Sequence, residues 1–226
     1  IPRGKTLGGS SSINGMVFNR GQNMDFDVWA QKGNRGWGYE DILPYFRRFE
    51  SYQSQSNNKF RGSTGEMKIT NLGWRDPLCE AFIEGASSLG IPRNPDYNGE
   101  SQLGTSYVQR TSTGKIRMSA ARAFLKPAKR RNNLTVITNS HATKIILEGK
   151  VAKGVSYQRG GASSPVNKIY AAREVIVSGG TINSPHLLQI SGIGNPKNFM
   201  NILNKNNFKI KDHIIFPDHY DYKQKD

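Results

Sequence analysis

The stretch RGKTLGGSSSINGMV, residues 3–17, is the strongest local signal in the chain. The glycines Gly8, Gly9 and Gly15 allow backbone N–H groups to approach a ligand closely, and successive N–H groups form a concavity suited to an anion. Serine hydroxyls add donors, and the Asn14 amide offers both a donor and an acceptor. On composition alone, a flexible surface loop explains the stretch equally well.

A second glycine-rich stretch, GGTINSPHLLQISGIG, covers residues 179–194. It is predicted to follow a buried strand at 174–178 and to lead into a helix that Ser184 caps and Gly192 ends. A turn of this kind presents backbone N–H groups at a helix N-terminus, which is a natural phosphate site. An ordinary connection between a strand and a helix is the alternative.

Two nucleotide-binding motifs are tested against the sequence and rejected. Gly4-Lys5-Thr6 matches the end of a GxxxxGK[ST] loop, but Gly8 and Gly9 follow where a helix should begin. The GxG pair at 192–194 lacks the third glycine of GxGxxG and follows a helix rather than a strand.

Hydrophobic spacing predicts helices at 25–31, after Gly38 to about residue 49, from Pro77 to Leu89, and after Ser119. Pro44 is expected to kink the second helix or delay its start, and Pro127 is expected to stop the fourth. The third is the best defined, with Asp76 as its N-cap and Gly90 beyond its end. Its predicted buried stripe is Leu78, Phe82, Ile83, Ala86 and Leu89.

Period-two alternation predicts short strands between the helices and consecutive strands in the second half of the chain. The predicted strands are 66–70, 104–111, 134–138, 143–147, 151–158, 168–171 and 174–178, with Val136, Ile145, Val155, Val175 and Val177 facing inward. The polar segment 51–64 is expected to be an exposed loop.

Composition excludes several classes of protein. The 24 glycines follow no collagen-like period, and no apolar run approaches the ~20 residues that span a bilayer. Cys79 is the single cysteine, so an internal disulfide is excluded, and we expect it to be a small apolar side chain on a helix.

The charge raises one alternative, a nucleic-acid or other polyanion binder, because 32 Lys and Arg against 17 Asp and Glu give a net charge of +15. The tightest basic cluster is Lys126, Lys129, Arg130 and Arg131. It has no interleaved aromatic residues of the kind that stack on bases, so a nucleic-acid partner is not expected.

Taken together, the two glycine-rich stretches resemble the two signature stretches of the glucose–methanol–choline (GMC) family of flavin oxidoreductases. The sequence between them resembles the insect glucose-dehydrogenase branch of that family, and the resemblance runs from about Ile1 to Gly194. The segments that carry it are Arg20-Gly21, Asp25–Ala30, Gly36–Phe46, Asp96-Tyr97-Asn98-Gly99, Ser119-Ala120 and Ala123-Phe124-Leu125.

The resemblance implies a mixed α/β fold: an FAD-binding domain with part of a discontinuous substrate domain. It divides the chain into a GMC N-terminal region, 1–194, and a divergent tail, 195–226. Since the chain begins with Ile1, we expect it to be part of a longer protein. The family's dinucleotide glycine loop and its catalytic histidine are expected outside this sequence.

The resemblance also implies cofactor contacts. In the family the first stretch lies along the flavin and pyrophosphate, which assigns FAD contacts to Gly8, Asn14, Gly15, Met16 and Val17. A backbone contact to the adenine end maps to Ala142. Ile13 stands where members with covalently bound flavin have a histidine, so FAD is expected to be held non-covalently.

The activity implied is oxidation of a CH–OH group of an alcohol or sugar, with electrons passed to an acceptor. A base removes the hydroxyl proton while hydride leaves the carbon for the flavin. No catalytic residue is assigned, because none of the histidines stands in the family's context; they are His141, His186, His213 and His219.

We therefore expect the chain by itself to retain no flavin and to be inactive. A non-catalytic remnant and a polyanion-binding protein are the alternatives. The acidic and histidine residues between Asp212 and Asp221 are interpreted as a polar tail rather than metal ligands. An extracellular location is suggested by the resemblance alone.

Overall fold

The computed structural model describes residues 2–54 and 59–194 and has mixed α/β structure. The chain divides into two compact units, residues 1–135 and residues 136–226. The first unit contains a 3-10 turn (Gly9–Ser12), α1 (Asn23–Gln31), α2 (Tyr39–Phe49), β1 (Glu50–Tyr52), β2 (Met67–Thr70), α3 (Pro77–Ser88), β3 (Arg110–Thr113), β4 (Ile116–Arg117), a π-helical turn (Ala121–Leu125) and α4 (Lys126–Ala128). The second contains β5 (Ser140–Glu148), β6 (Val151–Arg159), β7 (Val166–Tyr170) and α5 (Gly180–Ile190).

The first unit is built on a four-stranded sheet in the order β1-β2-β3-β4. β1 pairs with β2 in parallel, whereas β2–β3 and β3–β4 are antiparallel, with Ile69 opposite Thr111 and Ser112 opposite Arg117. Two apolar clusters pack in this unit. The first is Tyr52, Met67, Ile69, Met118 and Ala123, with Phe18 and Phe49 against it; the second is Tyr39, Leu43 and Phe60, with Phe26 against it.

The helices of this unit confirm most of the predicted boundaries. Asp76 caps α3, since its Oδ1 accepts from the N–H groups of Leu78 at 2.9 Å and Cys79 at 3.3 Å. Beyond the helix, Gly90 has φ 85° and donates to Ser87 O, while Ile91 donates to Ala86 O, which is the hydrogen bonding of a Schellman cap.

The predicted buried stripe of α3 is wrong for most of its members. Ile83 is buried, but Leu78 is 82% exposed, Phe82 73% and Leu89 82%. Cys79 lies on this helix as expected, but it is exposed. These apolar residues do lie on one helix as their spacing predicts. Spacing alone does not determine whether another element of the fold packs against them.

Both prolines that were expected to interrupt helices are accommodated inside them. α2 begins at Tyr39 with Pro44 as its sixth residue, so the predicted delay is wrong. Pro127 is the second residue of α4, which follows the π-helical turn directly and ends one residue later at Ala128, close to the predicted stop. Ser119 caps the preceding turn, because its Oγ accepts from the N–H of Arg122 at 3.3 Å.

The predicted exposed loop over 51–64 is wrong in part: residues 53–54, 59 and 63–64 are exposed, but others of the described positions are not. Ser51 and Tyr52 belong to β1, and Phe60 and Arg61 are buried. The N–H of Tyr52 donates to the carbonyl of Gly62 at 2.8 Å. Arg61 is buried because it belongs to an ion-pair network, described below, which the polar composition of the segment did not reveal.

The second unit contains an antiparallel sheet in the order β5-β6-β7. Ile145 is opposite Val155, and Val155 is opposite Ile169, so three apolar residues lie across the sheet. Ile145 is 2% exposed, and its N–H donates to Ser191 Oγ at 2.8 Å, just beyond the end of α5. These strands confirm the predictions at 143–147, 151–158 and 168–171.

Three other predicted strands are wrong in whole or in part. Residues 134–138 and 174–178 belong to no strand, and in 104–111 the strand begins only at Arg110. Alternation is still present, since Val175 and Val177 are half-buried while Ile176 is 78% exposed. A strand also needs a hydrogen-bonded neighbour, and within the described ranges neither 134–138 nor 174–178 joins a ladder.

α5 begins at Gly180, four residues before the predicted Ser184 cap, and Gly179 is its N-cap without a side-chain hydrogen bond. Its end is as predicted. Gly192, at φ 88°, donates to Gln189 O, and Ile193 donates to Leu188 O. The 192–194 glycines therefore form a helix cap, consistent with rejecting them as a dinucleotide motif.

Candidate functional site

The first predicted site, residues 8–17, is a tightly folded loop in the first unit. Gly8 has φ 89°, and a Cβ placed on it would lie 2.7 Å from Ser12 Oγ and 3.1 Å from the backbone N of Ala121. Gly4 is equally restricted, because its Cβ would meet Gly9 O at 2.2 Å. At these two positions glycine is required by close approach of the backbone.

Ser11 ties the loop to the segment that follows β4. Its hydroxyl donates to the carbonyl of Gly8 and accepts from the N–H of Ala120 at 2.9 Å. A serine in this stretch therefore serves the fold of the loop, although the sequence suggested a ligand donor.

Asn14 is also largely committed to the loop. Its Oδ1 accepts from the N–H of Met16 at 3.1 Å and from Arg117 Nη1 at 2.8 Å. The same Arg117 nitrogen donates to the Asn14 carbonyl at 2.7 Å. The side-chain Nδ2 has no hydrogen-bond partner within residues 2–54 and 59–194, so it is the part of Asn14 that can meet a ligand.

Residues 15–17 present an open backbone edge. Val17 pairs with Arg110 in an antiparallel bridge, whose hydrogen bonds run from Phe18 N to Gln109 O and from Thr111 N to Met16 O, both at 2.9 Å. In such a pair the N–H and C=O of Val17 itself point away from β3. Val17 is 55% exposed, and a Cβ on Gly15 would meet nothing within 4 Å.

Ala142, the other predicted contact, lies in the second unit. It is an exposed residue of β5 opposite Tyr157, beside a register irregularity between Ala142 and Lys144. It lines a cavity of about 340 Å³ together with residues of β6, β7 and the segment 171–175, among them Val155, Tyr157, Ile169 and Val175. This cavity is mostly apolar, as a planar aromatic ligand would require.

Sequence reasoning missed a buried ion-pair network in the first unit, formed by Arg20, Glu50, Arg61, Asp96 and Gln109. Glu50 is fully buried and accepts at Oε1 from Arg20 Nη2 at 2.6 Å and from Arg61 Nε at 2.9 Å. Arg61 also pairs with Asp96 and donates to Gln109 Oε1 at 3.0 Å. Each charge therefore has an opposite charge in contact, which a buried ion needs.

Aromatic residues enclose this network. The Arg61 guanidinium lies 3.8 Å from the centroid of the Tyr52 ring, and the Tyr52 hydroxyl accepts from Gln109 Nε2 at 3.1 Å. Burial raises the pKa of Tyr52 and of Tyr97 above the ordinary tyrosine value. Burial lowers the pKa of Arg20, and the neighbouring Glu50 opposes that shift. In this network, Arg20 and Asp96 belong to segments that carry the family resemblance, Arg20-Gly21 and Asp96–Gly99. No sequence pattern points to Glu50 or Arg61.

Other candidate groups contribute no site. Within residues 2–54 and 59–194 no three His, Cys, Asp or Glu side chains are arranged to hold a metal ion. His141 is exposed on β5 and His186 lies in α5, while His213, His219 and the Asp212–Asp221 segment fall outside the described residues. Among the helices in the described ranges, none is long and apolar enough to cross a bilayer.

Comparison with known families is decisive. The profile of the GMC oxidoreductase family matches residues 1–214.

The chain belongs to the GMC oxidoreductase family.

Among curated relatives of this GMC chain, an oxygen-dependent choline dehydrogenase from Brucella ovis is 48% identical over 193 residues. One from Sinorhizobium fredii is 45% identical over the same length. Each match covers 85% of this chain and 34% of the relative, so the chain spans about a third of the length of these relatives. The family expectation is confirmed, whereas the named relatives are choline dehydrogenases rather than glucose dehydrogenases.

Solved structures agree with the fold. An FAD-dependent oxidoreductase from Chaetomium thermophilum has a TM-score of 0.82 at 28% identity, covering 92% of this chain and 37% of that one. Pyridoxine 4-oxidase from Mesorbium loti has a TM-score of 0.80 at 31% identity, and the match covers 88% of this chain and 38% of that one. FAD is the cofactor that the family and these structures support.

The loop of this GMC chain suits FAD chemically. The outward N–H of Val17 and the Nδ2 of Asn14 are donors, and the flavin and pyrophosphate of FAD carry many acceptor atoms. The open space above Gly15 leaves room for a planar ring against the backbone.

Proposed function

We propose that this chain forms the flavin-contacting part of an FAD-dependent oxidoreductase that oxidises the CH–OH group of a small alcohol or sugar. When bound, FAD accepts the hydride from the substrate carbon. The role of this chain is to bind the cofactor and fix its orientation.

The observation that supports this role best is the backbone edge at Met16–Val17. The N–H and C=O of Val17 point away from β3, beside the side-chain Nδ2 of Asn14, whereas those of Met16 are bonded to Asn14 and to Thr111 of β3. Backbone donors held in this way need no reorganisation when a ligand binds, which favours tight and oriented binding.

The individual contacts are part of the proposal. Gly8 keeps the loop close to the 119–121 segment, and Gly15 and Val17 present backbone to the cofactor. Met16 lies between them against the cofactor, with its own N–H and carbonyl bonded to Asn14 and Thr111. In the second unit, Ala142 borders the apolar cavity proposed for the adenine end. Ile13 has no group that can form a covalent bond to flavin, so FAD is held non-covalently.

The substrate proposal follows the names of the relatives. Two of them are choline dehydrogenases and one structural neighbour is a pyridoxine oxidase, and choline and pyridoxine are both alcohols. The insect-like segments between the glycine-rich stretches support a sugar instead. We propose an alcohol CH–OH donor, with choline and glucose as the first two to compare, and a separate electron acceptor.

The test is a titration of FAD into the full 226-residue chain, followed by quenching of flavin fluorescence. Asn14→Asp keeps the Oδ1 acceptor for Arg117 and Met16 but replaces the Nδ2 donor, whereas Asn14→Ala removes both. We expect each to raise the dissociation constant by up to about tenfold, which corresponds to the loss of one hydrogen bond to the cofactor. Asn132→Ala, the same truncation in an exposed turn, is the control.

An Asn14→Asp variant that binds FAD as tightly as the wild type would exclude Nδ2 as a cofactor donor. The chain is expected to lose flavin during purification but to bind FAD that is added in excess. If the wild-type chain binds no added FAD, the proposed function of the loop is wrong for this chain. Acceptor-dye reduction with choline or glucose should be absent in the same preparation, since no histidine has the family's catalytic context.

A polyanion-binding function has one observation in its favour. The basic cluster Lys126, Lys129, Arg130 and Arg131 is exposed, and within the described ranges its residues form no ion pair. Binding to heparin that weakens steeply with salt and is lost on replacing these four residues would support it.

A further inference from the structure

We propose that Arg117 is a positioning residue for the cofactor loop: it holds the Asn14–Met16 turn in the conformation that presents the Val17 backbone. This inference rests on the proposed function, because that function gives the turn its ligand. Sequence reasoning assigned Arg117 no role.

The contacts that carry the proposal converge on one nitrogen. Arg117 Nη1 donates to the Asn14 carbonyl at 2.7 Å, to Asn14 Oδ1 at 2.8 Å and, more weakly, to the Ser11 carbonyl at 3.4 Å. A single guanidinium thus links the backbone carbonyl and the side-chain oxygen of Asn14 to the 3-10 turn before it. Arg117 is half-buried, while its two short bonds to Asn14 lie at the exposed surface of the loop.

The charged guanidinium of Arg117 donates hydrogen bonds to neutral acceptors. Within residues 2–54 and 59–194 it forms no ion pair, so its strongest partners are the oxygens of the loop. Hydrogen bonds from a charged donor are roughly twice as strong as neutral ones. A lysine could keep the charge and donate from one nitrogen to both oxygens, but it lacks the planar guanidinium that fixes the direction of the Nη1 hydrogens.

The turn needs such support because Met16 has φ 63°. A non-glycine residue in the left-handed region is strained and persists only when its surroundings fix it. Met16 is held at its N–H by Asn14 Oδ1 and at its carbonyl by Thr111 N at 2.9 Å. Since Arg117 fixes the oxygen that accepts from Met16, losing Arg117 loosens the N-terminal side of the turn.

Sheet geometry places these supports on neighbouring strands. Arg117 belongs to β4, which pairs with β3 through Ser112, and Thr111 of β3 binds the carbonyl of Met16. The β3–β4 hairpin therefore contacts the turn at both ends, and the backbone of Val17 is directed by the hairpin rather than by the loop alone.

The experiment uses the full 226-residue chain with Arg117→Met, Arg117→Lys and, as a matched control, Lys115→Met, which removes an exposed cation from the same hairpin. Hydrogen exchange of the Met16 and Thr111 amides is followed by NMR, thermal unfolding by circular dichroism, and FAD binding by fluorescence quenching. Exchange of these amides reports the turn without requiring any cofactor.

For Arg117→Met we expect at least tenfold faster exchange at Met16, an unfolding midpoint within about 3 °C of the wild type, and about tenfold weaker FAD binding. Arg117→Lys should lie between the wild type and Arg117→Met in both exchange and affinity. Lys115→Met should leave both unchanged.

The outcomes separate this inference from the function on which it rests. Wild-type exchange at Met16 and Thr111 in Arg117→Met would overturn the positioning role, whatever happens to FAD. Faster exchange with unchanged FAD affinity would support the positioning role and contradict a cofactor contact by the turn. If Arg117→Met fails to fold, the same comparison is made with Arg117→Gln, and wild-type exchange at Met16 and Thr111 in that variant overturns the positioning role.

Discussion

The buried ion-pair network and the cofactor loop lie in the same unit, and an arginine is central to each. Arg61 is 2% exposed and meets two carboxylates, whereas Arg117 is half-buried and meets only carbonyl and amide oxygens. The difference shows how burial decides the role of an arginine. A buried guanidinium must be neutralised and becomes part of global stability, whereas a half-buried one can fix local backbone conformation.

The largest expected effect is at Glu50. Replacing it by Gln should leave Arg20 and Arg61 buried without their shared counter-charge and reduce the free energy of unfolding by about 3–5 kcal/mol. Urea denaturation followed by circular dichroism measures this. Glu66→Gln, at an exposed position with no ion pair in the described part of the chain, should change it by less than about 0.5 kcal/mol. Equal effects of the two substitutions would show that the network does not dominate stability.

A smaller effect is expected at Gly62, whose N–H donates to Glu50 Oε1 at 2.8 Å. A Cβ here would lie 1.8 Å from the carbonyl oxygen of Arg47, so Gly62→Ala must displace backbone that supports the network. We expect a loss of about 3 kcal/mol in urea denaturation. Gly73→Ala, where an added Cβ meets nothing within 4 Å, should be neutral; a neutral Gly62→Ala would mean that the backbone around the network yields easily.

The smallest effect is expected in the loop. Met16→Gly removes the strain of a non-glycine residue in the left-handed region, which stabilises the fold by ~1–2 kcal/mol. It also increases the backbone entropy of the unfolded chain, which destabilises the fold by ~0.5–1 kcal/mol. The free energy of unfolding should therefore change by no more than about 1 kcal/mol. Asn139→Gly, at φ 54° in the second unit, is the comparison, since asparagine tolerates this region and should shift less. A loss of several kcal/mol for Met16→Gly would show that the loop contributes to global stability as the ion-pair network does. The contrast between the loop and the network would then be wrong.

Local signals in the sequence predicted local structure well. The Asp76 cap, the Gly90 and Gly192 helix ends and the three strands of the second unit depend on side-chain capping, left-handed glycine and alternation, all of which are short-range. The glycine-rich loop was also identified in advance, although the structure shows that Ser11 and the Oδ1 of Asn14 serve the loop itself. Predicting that division of roles would have required knowing where Ala120 and Arg117 lie.

By itself, then, the sequence determined the family, the helix ends and the loop in which cofactor contacts are proposed, because these depend on neighbouring residues and on long motifs. Only the tertiary structure decided that residues 51–64 are partly buried, that 134–138 and 174–178 form no ladder, and that Glu50, Arg61 and Arg117 matter. The reason is physical: burial, strand pairing and ion pairing join residues far apart in the chain. Arg117 and Asn14 are separated by 103 residues, and no local pattern records that contact.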